Sequence, residues 1–306
     1  MSKIQDALDK IQGEKRPRVV APEREDSVVL AKLVDHGANV ESYAVSDKCL
    51  HVDSDALRKA GLIAPEYHEA LLADQYRDIK RPLISHAFGK RATKVDRGNL
   101  IMVSSALSGE GKTFTSINLA LSMARERDYS VLLVDADVAK PHTSQMFGAA
   151  SEPGLLDLLD DPSRPVRTLI LPTDVENLSV LPAGQPRPHA TELLASAAME
   201  SVCETLEGLS AKQLVIFDTP PILQTSEAKV LASLMGQAVM VVRAEQTSQD
   251  AVLGALNSLD EGKAVNMVLN QMRMGYGDPQ YGYGYGYGYG KKKEYPAETE
   301  STGLFD

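Results

Sequence analysis

The stretch LIMVSSALSGEGKT, residues 100–113, decides the fold of this chain. It begins as an apolar run of strand length, turns into a loop with two glycines, and ends in Lys-Thr at the head of a helical run. Strand, glycine-containing loop and helix in this order are the context of a P-loop, where backbone N–H groups and the positive end of the helix surround a phosphate. The stretch therefore predicts a nucleotide site at the head of the helix.

The P-loop gives each of its residues an expected role. Lys112 is expected to reach the β- and γ-phosphates of ATP, and the Thr113 hydroxyl to ligate Mg²⁺. The general pattern G-x-x-x-x-G-K-[ST] has glycine at position 106, where this chain has Ala106. A chance Gly-Lys-Thr before an ordinary helix is the alternative, and the preceding strand argues against it. The nucleotide-binding residues predicted in this segment are Ser108, Gly109, Glu110, Gly111, Lys112, Thr113 and Phe114.

Apolar runs of strand length recur after the P-loop and alternate with helical segments. This alternation indicates βαβ units, and hence an α/β fold with a doubly wound, mostly parallel sheet and helices on both faces. Ligands of such sheets bind at the carboxyl ends of the strands. The predicted strands are 100–107, 130–137, 178–184, 213–221, 238–245 and 264–271.

Aspartates end two of these strands. VLLVD ends at Asp135, with Asp137 two residues later, and LVIFD ends at Asp218. All three carboxylates are expected at the P-loop edge of the sheet, arranging Mg²⁺, which takes one or two carboxylates with phosphate oxygens and waters. A single aspartate in such a position is often only a helix cap or a turn residue. Three beside a P-loop favour a catalytic and metal-binding role shared with Lys112.

Composition narrows the class of protein. The chain has 306 residues, is 43% hydrophobic and carries a formal net charge of -10. An acidic balance disfavours a nucleic-acid surface, which needs clustered Lys and Arg. Cys49 and Cys203 lie far apart, which disfavours a disulfide scaffold or a zinc site and fits a reducing cytosol. Without a visible signal peptide or an apolar run of about 18 residues, a cytoplasmic location is expected.

Changes of composition divide the chain into four parts. The first contains Ile4, Leu8 and Ile11 on one helical stripe, which fits either a helix that caps the domain or one that docks a partner protein. The last part alternates Tyr and Gly, and is predicted to be disordered because so many glycines leave the backbone too free to hold a strand. The parts are a helix and linker at 1–27, an extension at 28–65, the P-loop domain at 66–274 and the tail at 275–306.

Two further helices are predicted before the P-loop. Ser54 or Asp55 is expected to cap a short helix that ends near Gly61. The pattern of residues 66–88 is also helical, with Pro82 as an interruption.

Over residues 66–290 the chain resembles the bacterial tyrosine kinases, or BY-kinases, which are P-loop enzymes unrelated in fold to eukaryotic protein kinases. Their P-loop accepts alanine at its first glycine position, as at Ala106. Their third motif, a strand followed by D-x-x-P, matches the segment that begins at Asp218. Their chains also end in a tyrosine cluster, as this one does. The resemblance implies an ATP-dependent, Mg²⁺-dependent tyrosine autokinase.

The second BY-kinase motif, a strand followed by D-x-D-x-R, is only partly matched. Asp135 and Asp137 are present, but Ala139 stands in the place of the arginine, with Lys140 next to it. Either Asp135 or Asp137 is expected to accept the proton of the attacking phenol, whose pKa of about 10 calls for a nearby base or a positive field.

The resemblance also implies further site residues. Asn270 takes the position of an adenine contact, although a turn-forming Asn explains it equally well. The expected phosphate acceptors are the seven tyrosines of the tail, Tyr276, Tyr281, Tyr283, Tyr285, Tyr287, Tyr289 and Tyr295.

BY-kinases carry an E-x-x-R-x-x-R helix that contacts the next subunit of a ring. Here Asp74, Arg77 and Lys80 stand at that spacing, which is expected to put them on one helical face. A solvated charged face is the alternative. The resemblance implies a ring-like homo-oligomer with phosphoryl transfer between subunits. It further implies a separate, membrane-embedded regulator of polysaccharide chain length as activator, which would hold the chain at the inner membrane. The subgroup it resembles is linked to exosortase and exopolysaccharide gene clusters.

Two other functions compete with the kinase. Partitioning or septum-positioning ATPases share the P-loop superfamily, but their P-loop carries an additional Lys near its start, and 104–108 holds none. A nucleotide-gated scaffold, with the Tyr-Gly repeat as an association segment, is the non-enzymatic alternative.

Overall fold

The computed structural model describes residues 48–63, 68–90, 93–260 and 262–272. All of them belong to the second of two compact units, Ala44–Asp306. The predicted N-terminal helix and linker and the predicted disordered tail with its seven tyrosines lie outside the described residues and stay predictions.

A seven-stranded sheet forms the centre of the described unit, in the order β3-β4-β2-β5-β1-β6-β7. Every neighbouring pair is parallel except β3 with β4, which confirms the mostly parallel α/β fold. The strands are β1 Leu100–Ser105, β2 Ser130–Asp135, β3 Leu171–Pro172, β4 Leu178–Leu181, β5 Gln213–Asp218, β6 Gln237–Arg243 and β7 Ala264–Asn270. Each predicted strand exists but stops before its predicted carboxyl end, and the two-residue edge strand β3 was not predicted.

Helices cover both faces of the sheet, in two separate apolar layers. Alternate residues of β1 serve the two layers, with Ile101 and Val103 on one face and Leu100 and Met102 on the other. Strands that are buried on both faces consist of unbroken apolar runs, and such runs can be recognised in the sequence. The helices are α1 Ser54–Lys59, α2 Glu69–Phe88, α3 Lys112–Ala124, α4 His142–Met146, α5 Leu155–Asp160, α6 Ala190–Leu194, α7 Ala197–Glu207, α8 Ser226–Leu234 and α9 Gln249–Leu256.

The first two helices correct two details of the predictions. Asp53, rather than Ser54 or Asp55, caps α1, because its carboxylate accepts the N–H of Ala56 at 2.9 Å. Helix α2 runs through Pro82 without ending there. Pro82 lies on the exposed side of α2 and removes one hydrogen bond.

Packing against α3 and the sheet holds α2 in place. Leu83 of α2 is fully buried, and its carbonyl accepts a hydrogen bond of 3.0 Å from the buried amide of Gln237, the first residue of β6. The same amide bonds the carbonyl of Gly98, and its oxygen lies 2.9 Å from Nδ1 of His86. Helix α2 is therefore part of the same core as the strands. In the described part of the chain, no helix combines the length and the apolar character needed to cross a membrane.

Candidate active site

The P-loop joins β1 to α3, and two glycines give it its shape. Gly109 and Gly111 have φ angles of 82° and 96°, in the left-handed region that side chains disfavour. Gly111 directly precedes α3, and a β-carbon on it would collide with the amide nitrogen of Asn270. Lys112 and Thr113 form the start of α3, with Ser108 exposed before them and Phe114 half-buried after them. The predicted P-loop is therefore present.

Buried Glu110 fixes the P-loop from inside. Its carboxylate accepts the N–H of Leu107 at 2.7 Å and the hydroxyl of Thr247, which lies beyond β6. The amide of Asn270, the last residue of β7, donates to the carbonyl of Glu110 at 2.9 Å. Asn270 therefore supports the loop backbone, while its predicted adenine contact stays a prediction. Sequence reasoning missed Thr247, which carries no local signal of this contact.

Asp218 ends β5 directly beneath the head of α3. One carboxylate oxygen accepts the hydroxyls of Thr113 and Thr143, each at 2.9 Å, and the other accepts the hydroxyl of Ser116 at 3.1 Å. Burial raises the pKa of Asp218, while these hydroxyls and Lys112 act in the opposite direction. The structure thus brings the third predicted motif to the P-loop, as expected.

Asp135 lies beside Asp218, since the two residues are Cα partners across β2 and β5. Its Oδ2 accepts two hydrogen bonds of 2.7 Å from Ser144, one from the N–H and one from the hydroxyl. Its Oδ1 is buried and has no hydrogen-bond partner among the described residues. Burial, with a further contribution from the nearby charge of Asp218, raises the pKa of Asp135 to about 8. A buried oxygen left unpaired is a group that a cation would satisfy.

Lys112 and Asp137 are a pair of opposite charges in the site. Burial lowers the pKa of Lys112, and the charges of Asp218, Asp137 and Glu110 oppose that shift. Burial raises the pKa of Asp137, opposed first by Lys112. The two side chains are therefore close enough to stabilise each other's charged forms.

The residues present fit Mg²⁺ only together with a nucleotide. Within the described ranges no group of three or more His, Cys, Asp or Glu residues could hold a metal ion. The predicted set Asp135, Asp137 and Asp218 therefore does not form one carboxylate cluster. Two carboxylates, those of Asp135 and Asp218, and the Thr113 hydroxyl would hold the ion, and phosphate oxygens and waters would supply the other ligands.

A small cleft opens next to Asp137. The residues that line it include the polar Ser108, Lys140 and Gln224 and the apolar Val138, Leu194, Pro220 and Pro221. Ala139, which stands where the BY-kinase motif has arginine, also lines the cleft. A lining that combines apolar residues with a carboxylate suits a side chain that is aromatic and carries an acidic proton.

The three residues predicted for subunit contact do not share one exposed face. Asp74 and Arg77 are exposed and pair with each other at 2.7 Å. Lys80 is buried, and its Nζ lies 2.7 Å from the carbonyl of Ser122 and 2.7 Å from the carboxylate of Glu126. Six residues turn an α-helix through about 600°, so Asp74 and Lys80 stand about 120° apart around α2. The expectation of one shared face is wrong for Lys80, and a subunit contact stays a prediction for the other two.

Comparisons with known proteins show the family to which the chain belongs. A family model described as an AAA domain matches residues 98–270, more than half of the chain. The tyrosine-protein kinase YwqD of Bacillus subtilis (strain 168) is 31% identical over 215 residues, covering 70% of this chain and 86% of YwqD. The putative tyrosine-protein kinase CapB of Staphylococcus aureus is 29% identical over 230 residues, covering 73% of this chain and 96% of CapB.

A solved structure is similar as well. The kinase domain of the Escherichia coli tyrosine kinase ETK superposes with a TM-score of 0.56 at 26% identity, covering 67% of this chain and 79% of that domain. Fold, P-loop, paired aspartates and relatives agree, and the chain belongs to the bacterial tyrosine-protein kinases, the BY-kinase family.

Proposed function

We propose that this chain is an ATP-dependent protein-tyrosine autokinase that transfers the γ-phosphate of ATP to the tyrosines of its own tail. The observation that carries the proposal is the hydrogen bond of 2.9 Å between Thr113 and Asp218, which joins the P-loop to the carboxylate of the third family motif. Membership of the family supplies the type of reaction, and the tail supplies the acceptors.

Phosphate binding would use Lys112 and the N–H groups at the head of α3. Phosphoryl transfer depends mainly on positioning and charge stabilisation, so a buried cation at the head of a helix is suited to it. Bound Mg²⁺, held by Thr113, Asp218 and Asp135, would neutralise charge on the phosphate oxygens. Asp218 would orient Thr113, whose hydroxyl can donate to the carboxylate while its lone pairs stay free.

Asp137 is the better placed of the two candidate bases. Asp135 is fully buried with Oδ2 committed to Ser144, whereas Asp137 is half-buried and lines the open cleft. In the proposed step, the phenol proton passes to the Asp137 carboxylate as the phenol oxygen bonds the γ-phosphorus. The bond between that phosphorus and the β,γ-bridging oxygen breaks, and ADP leaves.

Transfer between neighbouring subunits is the proposed route. A Gly-rich segment of about 20 residues spans about 25 Å, which compares with a radius of gyration of about 16–17 Å for a domain of about 200 residues. The tail of one copy could therefore reach the site of the next. A ring-like homo-oligomer, with Asp74 and Arg77 at its contacts, would bring the two together.

The cellular setting follows from the family resemblance alone. We propose that a membrane-embedded chain-length regulator activates the kinase, holds it at the inner membrane and links it to exopolysaccharide synthesis or export. Co-purification of the full chain with such a partner, and a rise in tail phosphorylation when the partner is added, would support this setting. A rate that the partner leaves unchanged would count against it.

One experiment tests the activity. Purified protein is incubated with γ-labelled ATP and Mg²⁺, and the modified residues are mapped. Label on Tyr281–Tyr289 that disappears in Lys112→Met supports the kinase. ATP hydrolysis without label would identify a partitioning type of ATPase. The absence of both labelling and hydrolysis would support the nucleotide-gated scaffold.

A further inference from the structure

Two neighbouring hydroxyl residues of α4 have no role in the proposed chemistry so far. Thr143 and Ser144 are both fully buried, although each carries a polar group. A buried hydroxyl is unfavourable unless it is hydrogen-bonded, by about 1–3 kcal/mol. Each of these hydroxyls is bonded to the carboxylate of a different strand.

The two residues span the pair of aspartates at the centre of the site. Thr143 donates its hydroxyl to Oδ2 of Asp218 at 2.9 Å. Ser144 donates its hydroxyl and its N–H to Oδ2 of Asp135, each at 2.7 Å. One short segment therefore fixes the rotamers of two carboxylates that lie side by side across β2 and β5.

A third hydrogen bond settles the direction of the Ser144 hydroxyl. The N–H of Ala183 donates to Oγ of Ser144 at 2.9 Å. A hydroxyl has a single proton, and Ala183 occupies a lone pair, so that proton is directed at Asp135. Oδ2 of Asp135 thereby accepts two hydrogen bonds, and Oδ1 is left as the carboxylate oxygen without a partner among the described residues.

The segment after Ala183 is itself held rigidly. The buried carboxylate of Asp157 accepts the N–H of Gln185 at 3.1 Å and a guanidinium N–H of Arg187 at 2.9 Å. This segment leads into α6, whose Leu194 lines the cleft. Ser144 therefore links the Asp135 carboxylate to Ala183 by hydrogen bonds, and the main chain continues from Ala183 to Leu194 at the cleft.

We infer that Thr143 and Ser144 are positioning residues for the phosphoryl-transfer site, which orient the Asp218 and Asp135 carboxylates so that the nucleotide is bound together with Mg²⁺. The inference rests on the proposed function for its catalytic consequence only. Removal of the partners that orient metal-binding carboxylates reduces metal affinity or activity by about 10–100-fold.

Matched variants test the inference. Thr143→Val keeps the shape and removes the hydroxyl, and Thr143→Ser keeps the hydroxyl. Ser144→Ala and Ser144→Thr form the second pair. For each full-length variant, affinity for a fluorescent ADP analogue is measured with Mg²⁺ and with EDTA, together with kcat and KM for tail phosphorylation and the melting temperature.

The hydroxyl-free variants are expected to bind ADP in EDTA within about twofold of the parent. They should lose about tenfold or more of the affinity gained with Mg²⁺, and kcat should fall about 10–100-fold with KM little changed. Thr143→Ser should restore both quantities to within about threefold. Equal Mg²⁺ dependence in Thr143→Val and Thr143→Ser would overturn the inference, as would losses that follow the melting temperature alone. If the parent itself labels no tyrosine, the proposed function fails, and the ADP measurements still decide the role of the hydroxyls.

Discussion

The side-chain amide of Asn270 donates a hydrogen bond of 2.9 Å to the main-chain carbonyl of Glu110, so the last strand of the sheet holds the P-loop in place. This bond joins two segments 160 residues apart in the chain. A loop that must present its N–H groups to phosphates gains from being fixed before the nucleotide arrives, because less ordering remains to be done on binding.

Removal of that amide should weaken nucleotide binding. Asn270→Ala is expected to lower the affinity for ADP about fivefold to tenfold, which corresponds to the loss of a hydrogen bond of about 1 kcal/mol. The matched control is Gln271→Ala, because Gln271 is exposed and bonds Gly109 at the longer distance of 3.4 Å. Calorimetric titration with ADP measures both, and equal losses in the two variants would contradict a special role for Asn270.

Gly111 should tolerate no side chain. Gly111→Ala places a β-carbon against the Asn270 amide at a φ of 96°, and is expected to abolish measurable ADP binding and to lower the melting temperature. Gly254→Ala, within α9, is the control. A β-carbon on Gly254 would lie 3.8 Å from the Leu223 side chain, which is an ordinary contact. That control should be neutral or stabilising by up to about 1 kcal/mol. Normal ADP binding by Gly111→Ala would show that the loop can take another shape.

Asp135 should make the stability of the ligand-free chain depend on pH. Its pKa is about 8 in the folded chain, above the usual aspartate value of 3.8, so the folded state holds its proton more tightly than the unfolded state. The folded state is therefore favoured most at low pH, and this advantage is lost as the pH rises from about 4 to about 8.

Asp135→Asn tests this effect because it removes the carboxyl group that titrates and keeps a side chain of nearly the same shape. Urea unfolding of both chains without nucleotide or metal is expected to show the variant gaining stability relative to the parent between pH 5.5 and pH 8.5. A difference between the two chains that does not change with pH would show that Asp135 is ionised throughout this range.

Lys80 should act on stability within one chain. Lys80→Met keeps the aliphatic stem and leaves the Ser122 carbonyl and the Glu126 carboxylate without their partner. The free energy of unfolding is expected to fall by about 1.5–3 kcal/mol, as for a hydrogen bond to a charged group. Arg81→Met, on the exposed side of α2, should change it by less than about 0.5 kcal/mol. Light scattering on the same samples would contradict this interpretation if Lys80→Met dissociated an oligomer without loss of stability.

Phosphorylation of the tail should loosen the proposed ring. Each phosphate adds a charge of about -1.5 to -2, and the chain already carries -10. Light scattering of a fully phosphorylated sample is expected to give a smaller particle than a variant whose tail tyrosines are all Phe. Equal particle sizes in the two samples would contradict the prediction that phosphorylation loosens the ring.

The sequence predicted best what is continuous along the chain. The P-loop and the strands were located because a buried parallel strand needs an unbroken apolar run and the loop follows it directly. The strand ends were placed too far along, because Ala106, Ala136 and Thr219 are buried like strand residues although they lie beyond the ladder. Strand β3 was missed because it has only two residues, too few to show a pattern of apolar and polar residues.

Contacts between distant segments could not be predicted. Thr143 and Ser144 bond carboxylates 75 and 9 residues away, and ordinary hydroxyl residues give no sign of such partners. Lys80 is predicted to lie at a subunit contact because it matches a position of the family's E-x-x-R-x-x-R motif, whereas the structure buries it between α2 and α3.

The buried amide of Gln237 has a consequence for the smallest piece of this chain that can fold. Residue 98 begins the part matched by the AAA domain model, yet Gln237 binds Leu83 in α2, fifteen residues earlier. A protein that began at residue 98 would keep the bond of Gln237 to Gly98, but it would lose the Leu83 and His86 partners of that amide and would open one face of the sheet to water. Such a fragment is expected to aggregate rather than fold, so the smallest folding unit is expected to include the buried part of α2, from Tyr76 to Ala87.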